Sequence, residues 1–383
     1  MNFTEETLSR TPGEQRILEA KDWAITELAP TAETWERERR FAREAFDSAA
    51  SNGLTGLLVP EEHGGKQIDS IELAKILEHI AAVDFSVAFS LVCHNNLAGA
   101  IARKGSTELK SRFLPGLVNG KVLGAFLLTE PKVGSDAAAI ELQAHRDGGE
   151  WILNGEKAWV TNGTEANLLS VYAQTDPSEG HRGIATFLVE ADSEGVQRLP
   201  GYQLFGGHGM GTNGIRFENC RVPDANLFLP PSQGFGAAME GIDLARVLVS
   251  AMSCGMLRSG LETAVNYVLN RQAFGGKLSD LQGIRFMLGD VATDLEAATL
   301  LTYEAANIIA ADGNAGVAAA HAKKFSTRVT EKGLAQCMQV MGANGSLREH
   351  SLSRHLAASR LTHYLDGATE IQNVVITRDL FSE

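Results

Sequence analysis

Cysteine is scarce in this chain. There are four, Cys93, Cys220, Cys254 and Cys337, and they form neither a CxxC pair nor a Cys/His spacing suited to a metal. A disulfide framework and a structural zinc site are therefore not expected, and small, reduced, apolar residues are the plain reading. Positive charge is also short. Lys and Arg total 34 against 47 Asp and Glu, a formal net charge of −13. That balance disfavours nucleic acid or an anionic membrane as the main partner, while leaving room for a local basic pocket. The opening MNFTEETLSRTPGEQRILEA has no apolar signal region, and no uncharged run of spanning length is expected. A soluble protein of a reducing, cytoplasmic compartment is the expectation. A Walker loop, HExxH and GxSxG are missing too, so nucleotide hydrolysis, zinc proteolysis and α/β-hydrolase chemistry have no signature here.

What is present is apolar bulk: 44% hydrophobic residues over 383 positions, enough for more than one core. Three textures follow one another. Up to about residue 121, stretches such as EQRILEAKDWAITELAP and DSIELAKILEHIAAV place apolar residues at i, i+3 and i+4, the period of amphipathic helices. From 122 to 233, short runs such as EWILNG, GIATFLVEA and GIRFENCRVP are broken by Gly, Asn, Asp or Pro about every ten residues, which predicts an antiparallel β domain. From 234 to 383 the helical period returns, interrupted mainly at Gly342 to Gly345, over a length suited to a four-helix bundle. The fold class expected is mainly α with a central β domain.

Five segments carry candidate chemistry. Gly209, Gly211 and Gly214 fit GxGxxG, yet they lead into the strand-like IRFENCRV and open no helix, so a β loop is the better reading than a dinucleotide site. TEPKVGSDAAA (129–139) offers backbone N–H groups and a hydroxyl to a flavin edge or pyrophosphate, or is merely a turn. In NGEKAWVTNG (154–163), Trp159 and Thr161 stand two apart and would share one face of a strand. They make either a platform for a flat heterocycle or half-buried core. RQAFGGKLSDLQ (271–282) carries Arg271, which can bind a pyrophosphate bidentately or stand as a solvated charge. In YLDGATEIQ (364–372), Asp366 is an acid in an apolar stretch. It is a general base with a pKa raised by burial, or a helix cap before Gly367.

Taken together, LLVPEEHGG, LLTEPKVGSD, GEKAWVTNG, RQAFGGKLSDLQ, QVMGANG and GATEIQ resemble landmarks of the FAD-dependent acyl-CoA dehydrogenase family in identity, order and spacing. The resemblance runs from about Gly13 to Phe381. It implies an N-terminal helical domain, a β-barrel-like middle domain and a C-terminal four-helix bundle. By resemblance, Leu128, Thr129, Gly134 and Ser135 form the first flavin loop, with Ser135 also toward the thioester. Trp159 and Thr161 lie beside the flavin ring. Arg271, Phe274 and Gln282 reach the FAD of a neighbouring subunit, and Gln339, Gly342, Gly345 and Glu370 lie toward its adenosine half. Sharing a cofactor in this way implies an oligomer, a homotetramer or a homodimer. Asp243 and Arg246 match positions that touch the CoA tail, and Phe89, Ser90 and Cys93 line the acyl pocket, with Leu365 and Gly367 flanking the base.

The reaction implied is removal of a hydrogen pair across Cα–Cβ of an acyl-CoA or acyl-carrier-protein thioester, with hydride accepted at flavin N5. A ribityl hydroxyl and the backbone N–H of the base residue polarise the thioester carbonyl. An electron-transfer flavoprotein is the implied partner. The sequence departs from the family at the base, where Asp366 replaces Glu; the family's other base position is Ala245. Leu365 and Ala368 replace a Tyr and a Thr, and His208 replaces an Arg. A second reading is therefore kept, a same-fold flavoenzyme with altered chemistry such as an oxygenase, oxidase or unusual eliminase. No Lys or Arg occupies the acyl-pocket positions, which disfavours a dicarboxylic acyl group.

Overall fold

A computed structural model describes residues 11–382. Helix α1 (Pro12–Trp23) begins with a capping box, Thr11 accepting from Glu14 N while the Glu14 carboxylate accepts from Thr11 N, with proline at the first helical position. It runs on through a π turn at Ala24–Leu28 into α2 (Ala32–Glu38), α3 (Arg43–Ser51), α4 (Ser70–Ala81), α5 (Phe85–Lys104) and α6 (Thr107–Val118). Asp69, Asp84 and Ser106 cap the last three by accepting from backbone N–H groups that have no partner within the helix. Helix α5 corrects one expectation. By length and composition it could cross a membrane, yet most of it lies inside the protein, where it is the central helix of the first domain. His94 and Asn95 are bonded there to the carbonyls of Thr55, Leu117, Leu54 and Leu91.

The middle block holds β1 (Gly124–Leu127), β2 (Gln143–Asp147), β3 (Glu150–Val160), β4 (Leu168–Gln174), β5 (Ile184–Glu190), β6 (Val196–Arg198), β7 (Asn213–Pro223) and β8 (Leu227–Leu229). They form one sheet in the order β6-β7-β3-β2-β4-β5-β8, with β1 beside β4. Most pairings are antiparallel as expected, but β1 and β2 run parallel to β4. Every residue of β4 is buried, the mark of a strand covered on both faces.

The last block contains α7 (Gly234–Asn270), α8 (Gln282–Ala310), α9 (Gly316–Met341), α10 (Leu352–Thr362) and α11 (Thr369–Leu380). A small hairpin, β9 (Gln272–Ala273) and β10 (Gly276–Lys277), joins α7 to α8, and a 3₁₀ turn, Gly342–Ser346, joins α9 to α10. Helices α7, α8 and α9 pack on one another, α10 and α11 pack on α9, and α4 crosses α7 and α8. The mainly α class with a central β domain is thus the observed architecture, and one hydrophobic cluster runs through all three blocks.

The α4–α7 crossing couples the first and last blocks. At Gly255 a Cβ would lie 2.1 Å from the Glu78 carbonyl oxygen, so the backbones meet without an intervening side chain. The buried Glu78 carboxylate seals the contact by accepting from Arg258 Nε at 2.9 Å and Tyr303 OH at 2.5 Å. Gly255→Ala is expected to push the helices apart at a cost of about 1–3 kcal/mol, as overpacking does. A lowered midpoint in urea checks this, and an unchanged midpoint would show that the crossing tolerates a methyl group.

Candidate active site

Helix α10 ends at Thr362 and Ala368 opens α11, leaving a tight turn. Two consecutive residues in it have positive φ, Asp366 at 51° and Gly367 at 97°. Glycine adopts that conformation freely and aspartate is among the few other residues that tolerate it. Buried side chains from three helices hold the turn. Arg246 of α7 donates from Nε to the Asp366 carbonyl at 3.0 Å. Lys323 of α9 donates to the Gly367 carbonyl at 2.5 Å. Gln372 of α11 donates to the same carbonyl at 2.9 Å and to that of Ala368 at 3.3 Å.

The Asp366 side chain caps nothing. Its residue is half-buried, but Oδ2 is sealed from solvent and has no hydrogen-bond partner. Burial pushes this carboxyl up to about 6, against the opposing pull of Lys323 and then Arg246. Burial likewise pushes the Lys323 ammonium down to about 8, with Asp366 the main group resisting.

Opposite the turn stands Cys93 of α5. Burial raises its thiol, the negative charge of Asp366 raises it further, and the Thr161 hydroxyl beside it opposes. One turn earlier, Phe89 is buried and stacks on Phe85, with ring centroids 5.9 Å apart. The buried Ser90 hydroxyl has no partner. Leu365 packs against the main core. Cys93, Thr161 and the acid at 366 therefore come together from α5, the turn after β3 and the α10–α11 turn. Asn162 anchors that middle element, donating from Nδ2 to the carbonyls of Ser90 and Gly124 and from its backbone N–H to that of Met210.

Trp159 and Thr161 depart from the expected alternation. The β3–β7 register shifts between Lys157 and Val160, Trp159 has φ 58°, and the strand ends at Val160. Trp159 is 60% exposed, resting on Tyr202, whereas Thr161 is buried. A bulge thus replaces the regular pleat on which the shared face depended. The TEPKVGSD segment is a turn with a pinned base. The buried Lys157 ammonium donates to the Leu128 carbonyl and to Glu130 Oε1, each at 2.8 Å, and Glu130 also accepts from the N–H groups of Glu141 and Leu142. Burial pushes Lys157 down to about 8, opposed by Glu130. Ala158 N–H donates to the Thr129 carbonyl, which brings Thr129 next to Trp159. Gly134 and Ser135 are exposed beyond them, and a Cβ at Gly134 would meet nothing.

The remaining expected cofactor residues lie elsewhere. Arg271, Phe274, Gln282, Gln339 and Gly342 are exposed, while Gly345 is buried. Asn344 donates to the Tyr267 hydroxyl at 2.9 Å, holding the 342–346 turn against the end of α7. Arg271 follows Arg246 by 25 positions along α7, which is about 37 Å at 1.5 Å rise per residue. These two groups of residues cannot form one compact site within a single chain. Glu370 is exposed in the first turn of α11.

Arg246 is buried, pairs with the half-buried Asp243 at 2.7 Å and donates from Nε to the Asp366 carbonyl. The two residues expected toward the CoA tail are thus paired with each other and tied to the α10–α11 turn. Burial raises the Asp243 carboxyl against the pull of Arg246. His208, in the place of the family's Arg, is buried with Nδ1 and its backbone N–H each 2.9 Å from Glu36 carboxylate oxygens. A cavity of about 650 Å³ lined by Glu33, Arg37, Arg348 and Arg354 contains none of these residues.

Sequence reasoning passed over Lys323, Gln372 and Lys157. For Lys323 a signal existed, since it sits among Ala319, Ala320, Ser326, Thr327 and Thr330, a stripe of small residues where a lysine is out of place.

Residues 13–121, 125–220 and 232–381 match, in turn, the N-terminal, middle and C-terminal domains of acyl-CoA dehydrogenase. The chain is 34% identical over 360 residues to a probable acyl-CoA dehydrogenase of Mycobacterium tuberculosis, covering 93% of this chain and 92% of the relative. It superposes on butyryl-CoA dehydrogenase from Megasphaera elsdenii with a TM-score of 0.94 at 31% identity, covering all of both chains. It superposes on the prolyl acyl carrier protein oxidase AnaB with a TM-score of 0.93 at 26% identity, covering 97% of this chain and all of the other.

The raised Asp366 carboxyl has a consequence for stability. The fold favours its neutral form, so its stabilising contribution is complete below about pH 4 and is lost as pH rises through about 6. Asp366→Asn removes the cost of a buried carboxylate. It is expected to stabilise the protein at pH 8, by at most about 3 kcal/mol at 1.4 kcal/mol per unit, with the gain vanishing near pH 4. Urea unfolding at the two pH values checks this, and equal midpoints at pH 8 would mean that the carboxylate is well solvated.

Proposed function

Because the chain belongs to the acyl-CoA dehydrogenase family, we propose that it dehydrogenates an acyl-CoA or acyl-carrier-protein thioester across Cα–Cβ, with Asp366 as the base that takes the α-proton. The observation that carries this reading is the Asp366 carboxyl, an unpartnered buried oxygen on a turn held by three donors, close enough to Cys93 to act on its thiol. The α-proton of a thioester is weakly acidic, so its removal needs a base poised near neutral pH and a donor at the carbonyl oxygen. Burial gives Asp366 the first property, and its backbone N–H is the proposed donor. Phe89 and Cys93 are the proposed walls for the acyl chain.

The residues present fit a flavin. Trp159 offers an exposed indole face next to Thr129, Thr161 offers a hydroxyl beside the Cys93 thiol, and the Gly134 backbone is open. We assign Leu128, Thr129, Gly134, Ser135, Trp159 and Thr161 to one end of FAD. Arg271, Phe274, Gln282, Gln339, Gly342 and Gly345 would then serve the FAD of a second copy, while Glu370, in the first turn of α11 and acting on Lys323, stays beside the Asp366 turn. The 37 Å separation along α7 and the exposure of Phe274, Phe286 and Leu300 support a homodimer or homotetramer. FAD, when bound, supplies the two-electron acceptor, and an electron-transfer flavoprotein is the proposed onward partner. The likeness to a prolyl acyl carrier protein oxidase favours one second reading, an oxidase.

Each assignment carries an expected outcome. Asp366→Asn should slow flavin bleaching by a thioester roughly 100-fold or more while FAD and ligand still bind; bleaching at the wild-type rate would remove Asp366 from the chemistry. In the wild type the same rate should fall as pH drops through about 6, because the carboxylate is the active form. Asp366→Glu separates a site that tolerates a short base, where activity holds or rises, from one shaped around it, where activity falls. Arg271→Glu should lose FAD, and full FAD content in an unchanged oligomer would refute the subunit-sharing assignment. Rapid peroxide formation without an added acceptor would favour the oxidase.

A further inference from the structure

We propose that Lys323 is a positioning residue whose buried positive charge holds the Asp366 carboxyl in its proton-accepting form. The inference rests on the reading of Asp366 as the base.

The hydrogen bonds of the turn supply the first argument. The Gly367 carbonyl already accepts from Gln372 Nε2 at 2.9 Å, and the Asp366 carbonyl accepts from Arg246 at 3.0 Å. As an anchor alone, the bond from Lys323 duplicates that of Gln372. A neutral donor would have served as an anchor, whereas burying an ammonium is costly. Lys323 is 1% exposed on a helix face otherwise made of alanine, serine and threonine.

What lysine adds is charge, and its surroundings direct that charge at one group. Asp366 faces it from the turn, Arg246 from α7, Glu370 from α11 and His363 from the end of α10. Glu370 is exposed, so water screens it. Arg246 is paired with Asp243 at 2.7 Å, which offsets its charge locally. Among the described residues Lys323 makes no direct salt bridge, and its largest charge interaction is with Asp366. Of the two cations acting on Asp366, Lys323 has the larger effect. Burial alone would carry the carboxyl further above about 6. With Lys323 protonated below about 8, both groups are charged between about pH 6 and 8.

The test separates charge from anchoring. Acetyl-CoA has no Cβ and cannot be dehydrogenated, so uptake of solvent deuterium at its Cα reports proton abstraction alone. The exchange is followed by NMR on the FAD-loaded oligomer from pH 5 to 9 for wild type, Lys323→Met, Gln372→Leu and Asp366→Asn. Lys323→Met should move the acid limb up by about one unit, so that exchange falls roughly fivefold at pH 6, approaches a tenfold loss at pH 5 and recovers above pH 8. Gln372→Leu loosens the same carbonyl without removing charge, and should lower exchange evenly without moving the limb. FAD content and thermal unfolding certify each variant. If the Met variant fails to hold FAD, Lys323→Gln, which keeps a donor but no charge, replaces it with the same expected shift. An acid limb that stays in place, or a loss identical to that of Gln372→Leu, overturns the proposal for Lys323 alone, provided Asp366→Asn abolishes exchange. Exchange by Asp366→Asn at the wild-type rate overturns the base reading and this inference with it.

Discussion

The chemistry proposed for this chain depends on two adjacent carbonyls being held in place. A turn with two left-handed residues in succession is not a conformation a short loop keeps by itself. Here α7, α9 and α11 each send one buried donor into it, and each of those helices is fixed by the bundle. Arg246 can reach the turn because α7 is in turn clamped to α4, where Gly255 meets the Glu78 backbone. The position of one carboxyl therefore depends on packing in both helical blocks. A rigid framework supporting a small strained element is the usual way to keep a reactive group in place.

The arrangement also shows how a fold can set the character of an acid without touching it directly. Asp366 Oδ2 has no hydrogen bond, so its proton affinity comes from two long-range influences, exclusion of water and nearby positive charge. The two act in opposite directions, and the balance falls between the ordinary values of an aspartate and a histidine. A direct hydrogen bond to the carboxylate would have fixed it as a weak acceptor. Leaving it unpartnered keeps its lone pairs available.

Much of this was legible in the sequence, and the failures have physical causes. The α–β–α order could be read because apolar period is a local property, set within ten or fifteen residues. Asp366 could be singled out because an acid in HYLDGA is locally anomalous. The engagement of Lys323 and Gln372 could not be read, since one contact spans 44 positions and the other depends on the left-handed turn at Asp366 and Gly367. The bond from Arg246 to the Asp366 carbonyl could not be read either, because the sequence shows a charge and not the direction in which it points. Trp159 and Thr161 misled the strand argument because a bulge changes side-chain direction without a dependable sequence mark. The parallel pairing of β1 and β2 with β4 is a matter of topology, which strand patterning does not encode.

Helix α5 imposes a demand on synthesis that the finished fold conceals. Its uncharged face is covered by α4, α6, β1 and α7. Three of these emerge close to it in the chain, but α7 begins 130 positions after α5 ends. At ordinary elongation rates the ribosome needs roughly ten seconds to deliver that last cover. Throughout that interval the nascent chain displays a segment resembling, in length and apolarity, one destined for lipid. Escape from mistaken capture, whether by chaperones, by neighbouring chains or by insertion machinery, rests on how quickly the first domain closes around α5 by itself.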